Sequence, residues 1–336
     1  MPEYLVTVVI PTLAADCRLS ECVESLQRQT RRDFEVIVVD NSGKGLARRN
    51  GRLDGITIIE NERNAGFGTA INQGVRASRS PYVATLNDDA AADPRWIEAL
   101  AAAIERRPDA GMCASRVRMF GEARLDSAGM LVALDGSSKQ RGHGRAPEDF
   151  PVLEEVLLPS GSAALYRRSM LEQIGGFDDD FFLYCEDTDL GLRARWAGWK
   201  CLYVPDAVVE HHYSHSAGAA SPLKAYYVER NRLFVLAKNF PARMLARAPF
   251  VSLARYLWHV RYLAEGRGSA ARFRASGHAG PRMAWYVVRA HLALFRHAGR
   301  LRRQRREIRA KARITDRVFE RLVRSHSISA RRLAAL

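Results

Sequence analysis

Residues 82–90 read YVATLNDDA, a short apolar run that ends in one amide and two adjacent carboxylates. Three similar apolar runs precede it, at 5–10 (LVTVVI), 34–39 (FEVIVV) and 56–59 (ITII). Apolar residues recur at helical spacing in segments between and after these runs, at 18–30, at 67–78 and, following Pro94, at 95–107. Short apolar strands that alternate with helices predict a mostly parallel sheet flanked by helices, in an α/β domain.

This alternation stops at 118–158, where we expect loops and a hairpin near 130–134. It resumes with a strand at 162–166 and helices near 168–174 and 187–197. After Phe240–Pro241 the chain reads as basic helices, one of which places Leu253, Leu257 and Val260 on one face. The sequence therefore predicts an α/β domain over 1–240 and a helical extension over 241–336.

Charge divides the chain in the same way. From Arg243 to Leu336 there are 23 basic and four acidic side chains, a net charge of +19, whereas the 29 basic and 33 acidic residues before them give −4. So basic a segment attracts polyanions, which are nucleic acids or anionic membrane surfaces. No run approaches the ~20 apolar residues of a membrane span, and we expect no signal peptide. Five scattered cysteines without a C-x-x-C pair indicate free thiols in a reducing compartment.

Polar residues follow three of the predicted strands: Pro11-Thr12, Asp40-Asn41 and Asn87-Asp88-Asp89. Ligands of parallel α/β sheets bind outside the carboxyl ends of the strands. Asp40 could accept hydrogen bonds from a base or ribose there, or it could cap a turn. The adjacent Asp88 and Asp89 repel each other unless a cation lies near, so they are candidates for holding Mg²⁺ or Mn²⁺, with a simple turn as the alternative.

Three further segments carry candidate functional residues. Residues 63–72 (RNAGFGTAIN) place two glycines before a helix, which suits close approach to a phosphate but does not match G-x-G-x-x-G. Glu186, Asp187 and Asp189 follow an aromatic run, so one carboxylate could act as a base, or the acids could complement a helix N-terminus. His211, His212 and His215 form a cluster that could supply a metal or phosphate ligand.

The order of these motifs resembles glycosyltransferase family 2, and within it the rhamnosyltransferase-like branch. The motifs cover residues 4 to about 240: VVIPT (8–12), VVDNS (38–42), RNAGFGTAIN (63–72), LNDDA (86–90), PSGSAALYRR (159–168), GGFDDDFFLYCEDTDLGLR (175–193), HHYSHSAG (211–218) and ERN (229–231). The resemblance implies a GT-A fold with a Rossmann-like sheet over 1–240, a divalent ion (Mn²⁺ or Mg²⁺) and an inverting transfer from a nucleotide diphosphate sugar linked to dTDP, UDP or GDP.

The resemblance also assigns roles to individual residues. Asp187 would be the catalytic base, Asp89 and His211 would hold the metal, and His212 is the alternative ligand. The donor would lie along Pro11, Thr12, Asp40, Arg63, Asn64, Gly66 and Asp88. The acceptor or the diphosphate would contact Gly161, Glu186, Arg230 and Asn231. Asn87 stands where the family's D-x-D motif has its first aspartate.

The acceptor implied by the resemblance is a glycan or a polyprenyl-diphosphate-linked sugar of a bacterial cell-surface polysaccharide. The basic extension then predicts peripheral attachment to an anionic membrane, on the cytoplasmic side, and no nucleic-acid partner. Two rival functions remain at this point: a nucleic-acid-binding protein and a metal-dependent nucleotidyltransferase. A non-catalytic relative is a third, because of Asn87.

Overall fold

The computed structural model describes residues 3–14, 16–50, 53–212, 222–275, 277 and 281–336. Its main sheet contains ten strands: β1 (Val6–Thr12), β2 (Phe34–Asp40), β3 (Thr57–Glu60), β4 (Tyr82–Leu86), β5 (Ala90–Ala92), β6 (Ala110–Met119), β7 (Leu125–Ser127), β10 (Glu154–Val156), β11 (Ala163–Arg167) and β12 (Lys200–His211). Two short strands, β8 (Met130–Val132) and β9 (Ser138–Gln140), form a separate hairpin. The sheet and the hairpin near 130–134 are therefore both as predicted.

The strands follow the order β10-β12-β6-β11-β4-β1-β2-β3 across the sheet. β3, β2, β1 and β4 run parallel, so the residues after β1, β2 and β4 meet at one edge. β11 lies antiparallel between β4 and β6, which reverses the chain direction in the middle of the sheet. This strand brings the loop before it, residues 160–162, to the same edge as the end of β4.

The described residues before 200 include the α-helices α1 (Arg18–Gln27), α2 (Leu46–Asn50), α3 (Phe67–Ala77), α4 (Trp96–Glu105), α5 (Arg168–Ile174) and α6 (Glu186–Trp196). Alternation along β1 divides the core between the two faces of the sheet. Val8 packs with α1 and α4 on one face, whereas Val9 packs with α3, α5 and α6 on the other. The sheet is thus covered on both sides, as its nearly continuous apolar strands require.

Two long strands were not predicted. β6 (AGMCASRVRM) begins with small residues and ends with two arginines, and the apolar residues of β12 are interrupted by Pro205 and Asp206. They nevertheless pair in parallel along their length, with the register shifting between Val204 and Val208, where the Pro-Asp pair lies. The prediction of loops over 118–158 is also wrong at Leu125–Ser127, which pairs with β6, and at Glu154–Val156, which pairs with β12 at one edge of the sheet.

The extension consists of helices, as predicted: α7 (Pro222–Asn239) leads into α8 (Ala242–Ala264), α9 (Gly268–Ala275), α10 (Pro281–Arg296), α11 (Ala298–Ala310), α12 (Asp316–Ser325) and α13 (Ala330–Ala335). A third apolar cluster joins these helices to α6 and to the 130–158 region. Its centre includes Trp196, whose ring stacks on Phe319 at a centroid distance of 4.1 Å. None of the described helices has the length and apolar character needed to cross a membrane.

Candidate active site

The carboxyl end of β4 carries the first group of polar side chains. Thr12, at the end of β1, donates a hydrogen bond of 2.5 Å from its hydroxyl to Asp88 Oδ2. Asp88 is half-buried, and burial raises the pKa of its carboxyl to about 6. The neighbouring strands thus bring Thr12 and Asp88 together as the parallel sheet predicts.

Asp89 and His211 face each other beside this pair. Asp89 Oδ1 is buried, has no well-directed hydrogen bond from the described residues and lies 3.1 Å from His211 Nε2. The other ring nitrogen of His211, Nδ1, lies 2.9 Å from Asp126 Oδ2. Because a carboxylate can only accept, this contact places a proton on Nδ1. The Nε2 lone pair can accept from the side-chain amide of Asn87, whose Nδ2 lies 3.2 Å away, whereas the buried Asp89 Oδ1 has no donor among the described residues and would be satisfied by a cation or by a second proton on the ring.

These residues fit a divalent ion. A histidine that binds a metal commonly donates its other ring N–H to a carboxylate, which fixes the orientation of the ring. Asp126 would orient His211 in this way. Burial lowers the pKa of His211, but hydrogen bonds to the carboxylates of Asp126 and Asp89 and the charges of these carboxylates outweigh burial and raise it to about 10. Within the described ranges no group of three or more His, Cys, Asp or Glu side chains is placed to hold a metal ion, so Asp89 and His211 would be only part of a ligand set.

The histidine cluster separates in the structure. His212 turns away from Asp89: its ring stacks on Phe120 at a centroid distance of 3.8 Å, and its Nε2 lies 3.4 Å from Glu21 Oε2. Of the two adjacent histidines, His211 is therefore the one that faces Asp89. His215 and the Ser216–Gly218 segment lie outside the described residues.

The loop at 160–162 connects the two acidic clusters. Asn87 donates its backbone N–H to the carbonyl of Ser162, at 2.9 Å. On the other side of the loop, Gly161 donates its N–H to Asp187 Oδ2, at 3.0 Å. An ideal Cβ on Gly161 would lie 3.4 Å from the Asp187 Cβ, so this close approach leaves little space for a larger residue. Two acid clusters separated by about a hundred residues in sequence therefore meet across one short loop.

Asp187 and Glu186 begin helix α6 and have an unusual environment. Asp187 is half-buried, and its Oδ1 accepts from the N–H of Thr188 at 2.6 Å. Glu186 is buried, and its Oε2 has no hydrogen-bond partner among the described residues. Burial raises the pKa of both carboxyls, and the charge of Asp187 raises that of Glu186 further. A carboxylate with a raised pKa is suited to accept a proton near neutral pH.

The loop before Glu186 is strained. Phe182, Tyr184 and Cys185 adopt positive φ values of 60°, 70° and 65°, which residues other than glycine rarely adopt. Such strain persists only where the surroundings enforce it, and it accumulates at functional sites. The loop therefore needs support from outside its own sequence.

That support comes from Arg230 and Asn231 of α7. Asn231 Nδ2 lies 2.9, 2.8 and 2.7 Å from the carbonyl oxygens of Phe181, Leu183 and Tyr184, and Arg230 donates to the carbonyls of Asp180 and Phe181. Asn231 is fully buried and has no exposed atom with which to make the predicted contact with an acceptor or diphosphate. We call this pair the loop clamp.

The Gly-rich segment packs on the same strained loop. Gly66 has φ of 89°, and an ideal Cβ there would lie 2.4 Å from the carbonyl oxygen of Phe182. Phe67 donates its N–H to that oxygen at 2.9 Å. The glycine is thus required by the approach of Phe182, while Arg63 and Asn64 remain exposed at the rim. The Asn64 side chain accepts from the Gly66 N–H at 2.9 Å.

Asp40 has the capping arrangement that the sequence left open. Its carboxylate oxygens accept from the N–H groups of Ser42 and Ala47, at 2.7 and 2.8 Å. Asn41, beside it, contacts the carbonyl of Gly66 through Nδ2 at 3.3 Å. The loop after β2 is therefore fixed against the Gly-rich segment, next to Pro11 and Thr12 at the end of β1.

The model of glycosyl transferase family 2 matches residues 7–175, about half of the chain. The chain belongs to this family. Among curated proteins it is similar to the N-acetylglucosaminyl-diphospho-decaprenol L-rhamnosyltransferase of Mycobacterium tuberculosis, with 32% identity over 66% of this chain and 80% of the relative. The predicted family and its rhamnosyltransferase-like branch are thereby confirmed.

Two solved structures share the fold of this glycosyltransferase. One is GalNAc-T7 with UDP, GalNAc and Mn²⁺, with a TM-score of 0.57 and 14% identity over 88% of this chain. This chain spans 58% of that protein's length. The other is a mannosyltransferase of Pyrobaculum calidifontis with GDP-Man and Mn²⁺, with a TM-score of 0.50 and 18% identity over 93% of this chain and 88% of that one. The GT-A fold is confirmed.

One residue of the site was missed by sequence reasoning. Asp126 lies in a region without regular periodicity, and only the approach of β12 to β6 and β7 brings His211 to it. Its burial, at 2% exposure, marks it as a paired charge. A single sequence of this glycosyltransferase offers no local signal for such a contact between residues 85 positions apart.

Proposed function

We propose that this glycosyltransferase moves a sugar from a nucleotide diphosphate sugar to an acceptor hydroxyl with inversion at the anomeric carbon. The observation that carries the proposal is the contact between Asp187 Oδ2 and the Gly161 N–H. It holds a carboxylate with a raised pKa on one side of the 160–162 loop, while Asp88 and Asp89 lie on the other. Inverting transfer needs a base and a leaving-group site on opposite sides of the sugar.

In this proposal Asp187 takes the proton of the acceptor hydroxyl. Its carboxylate is half-buried and therefore open to an acceptor, and the N–H groups of Gly161 and Thr188 fix its orientation. The acceptor oxygen attacks the anomeric carbon as the bond to the diphosphate breaks, and the proton stays on the carboxylate. Glu186 is buried beside it, and the charge of Asp187 adds to burial in raising the pKa of Glu186, so the neighbouring carboxyl is held toward its neutral form.

The donor would occupy the edge formed by β1, β2 and β4. Thr12 and Asp88 would contact its ribose or sugar, and the loops at Asp40 and at Arg63–Gly66 would bound the nucleotide. Asp89 and His211 would hold a divalent ion, Mn²⁺ or Mg²⁺, which when bound supplies positive charge beside the departing diphosphate. The solved relatives that contain Mn²⁺ support this part of the proposal.

The name of the mycobacterial relative supports rhamnose as the sugar and a polyprenyl-diphosphate-linked acceptor. We extend both to this chain as part of the proposal, with a role in cell-surface polysaccharide synthesis at the cytoplasmic face of the membrane. Residues 1–240 would form the catalytic domain. The net charge of +19 after Arg243 supports peripheral attachment of the 241–336 extension to anionic lipid.

A panel of donors tests the reaction. Binding of dTDP-, UDP- and GDP-sugars is measured by calorimetry with and without Mn²⁺, and the anomeric configuration of any transferred sugar is read from its NMR coupling. We expect one nucleotide class to bind in a Mn²⁺-dependent manner and the product to be inverted. Indifference to every donor, or retention of configuration, would overturn the proposal.

A matched pair of variants tests the metal site. Asp126→Asn removes the acceptor that fixes His211, so we expect the affinity for Mn²⁺ to fall about 10- to 100-fold. His212→Ala alters a histidine that stacks on Phe120 and should change this affinity little. A larger loss in His212→Ala than in Asp126→Asn would show that the wrong histidine has been assigned.

A further inference from the structure

Helix α8 presents a row of large apolar side chains to solvent. The row consists of Phe250, Leu253, Leu257 and Val260. Their spacing of three, four and three residues places them on one face, and Phe250 is 73% exposed. In a helix on the surface of a water-soluble protein, residues with this spacing normally face the core.

Helix α10 repeats the pattern. Its row consists of Trp285, Val288, Leu292 and Phe295, with the same intervals, and Phe295 is 74% exposed. The opposite face packs on α7, where Ala290 and Ala293 are buried. We call the two sets the outer rows. Contiguous exposed apolar surface of this kind marks a site of interaction.

Buried ion pairs hold the outer row of α8 toward solvent. Arg255, on the opposite face, donates to Asp135 Oδ2 at 2.7 Å and to Glu229 Oε2 at 3.0 Å. Glu229 also contacts Arg232 of α7, and all of these charges are at most about a tenth exposed. Rotating α8 to bury its apolar row would expose this network or leave its members unpaired, so the outward orientation is fixed by the interior.

The charge of the surrounding segment indicates which kind of partner covers the outer rows. The segment that carries them has 23 basic and four acidic residues, and exposed Arg282 and Arg296 bracket the row of α10. A second copy of the chain would bring two such basic segments together. An anionic bilayer instead offers phosphate groups to the arginines and acyl chains to the apolar row, the pattern of an interfacial helix.

We propose that the two outer rows enter the boundary between headgroups and acyl chains of an anionic membrane, with the flanking arginines at the lipid phosphates. This inference deepens the proposed function and rests on it, since it gives the enzyme a defined lipid-facing side. The helices lie along the membrane surface, while the ion-paired face of α8 and the alanine face of α10 stay against the rest of the protein.

Vesicle sedimentation with paired variants tests the inference. Phe250→Ser/Leu257→Ser and Trp285→Ser/Phe295→Ser each remove half of one row, and Ala246→Ser/Ala284→Ser alters exposed small residues on the same helices as a control. Vesicles contain either phosphatidylcholine alone or phosphatidylcholine with about 30% phosphatidylglycerol, near natural anionic content. We expect the wild type and the control to bind only the anionic vesicles, and each row variant to bind at least about tenfold more weakly.

Unchanged vesicle binding by both row variants would overturn the inference. So would light scattering that shows a wild-type dimer converted to a monomer by these substitutions, since the rows would then cover each other. Transfer to a short, soluble acceptor is measured for the same proteins. Row variants that lose vesicle binding but keep this transfer support the inference, whereas a wild type that binds vesicles but transfers no sugar contradicts the proposed function alone.

Discussion

Asp187 and Asp189 stand two positions apart on α6 and have opposite environments. Asp189 is fully buried and is paired with Arg193, Lys238 and Asn239, at 2.8, 2.8 and 2.9 Å. Burial acts against its charge, but Lys238 and Arg193 outweigh burial and lower the pKa of its carboxyl to about 2. Asp187 is half-buried, accepts hydrogen bonds from the N–H groups of Gly161 and Thr188 and from the Thr188 hydroxyl, and has a raised pKa.

The difference shows how one acidic motif divides into a structural and a reactive part. Asp189 links α6 to α7 through its contacts with Lys238 and Asn239, a structural role in which its carboxylate stays ionised. Asp187 accepts hydrogen bonds from uncharged N–H and hydroxyl groups and has a raised pKa, which suits it to accept a proton. The two carboxylates should therefore respond in opposite ways to substitution and to pH.

The largest expected effect is on Asp187. Asp187→Asn removes the proposed base, and we expect kcat to fall by about 10³-fold, within the range of general-base catalysis. Donor affinity and thermal stability should change little, because the amide keeps the shape of the side chain. Steady-state kinetics measure kcat, and calorimetry measures donor affinity and thermal stability. A variant with near wild-type kcat would exclude Asp187 as the base.

Asp189→Asn should act on stability instead. It leaves Lys238 and Arg193 buried with less compensation, which costs about 3 kcal/mol in the free energy of unfolding. Because the pKa of Asp189 is lowered in the folded protein, its contribution is present above pH ~4 and is lost as pH falls toward 2. In denaturant unfolding, the difference in the free energy of unfolding between the wild type and this variant should be smaller at pH 3 than at pH 7. A large fall in kcat of the folded variant at pH 7 would contradict the division of roles.

The loop clamp holds the strained turn that precedes Asp187. Asn231→Ala tests whether the clamp positions this carboxylate. Without the amide, the strained loop can relax and displace Asp187, so we expect kcat to fall about 10- to 100-fold with little change in the donor KM. Asn239→Ala is the matched control, because Asn239 is also buried in α7 but contacts Asp189. Equal kinetics in the two variants would mean that Asn231 acts only through stability.

The smallest expected effect concerns Glu186. Its pKa is raised in the folded protein, so the stability linked to its protonated form is complete below pH ~4 and is lost as pH rises. Glu186→Gln should therefore raise Tm by ~2 °C at pH 8. At pH 5 the difference should be smaller. A variant that is less stable than the wild type at pH 8 would show that Glu186 is paired in solution.

The sequence predicted the parallel half of the sheet and the edge where Thr12 and Asp88 meet, because their strands are continuous apolar runs. It did not predict β6 or β12, whose small, charged and Pro-Asp positions hide the strand pattern. The placement of Asp126 beside His211 depends on those strands and was missed with them. The buried position of Asn231 was also missed, since a short R-N motif does not reveal which carbonyls its amide will meet.

The loop clamp affects how chimeric enzymes between relatives would have to be made. The strained turn at Phe182–Cys185 and the amide that holds it belong to segments about fifty residues apart, and Arg300 and Gln304 of α11 contact Asp180 and Asp178 just before that turn. A crossover near residue 200 would pair one parent's turn with another's amide. We therefore expect active hybrids only when all three segments come from one parent.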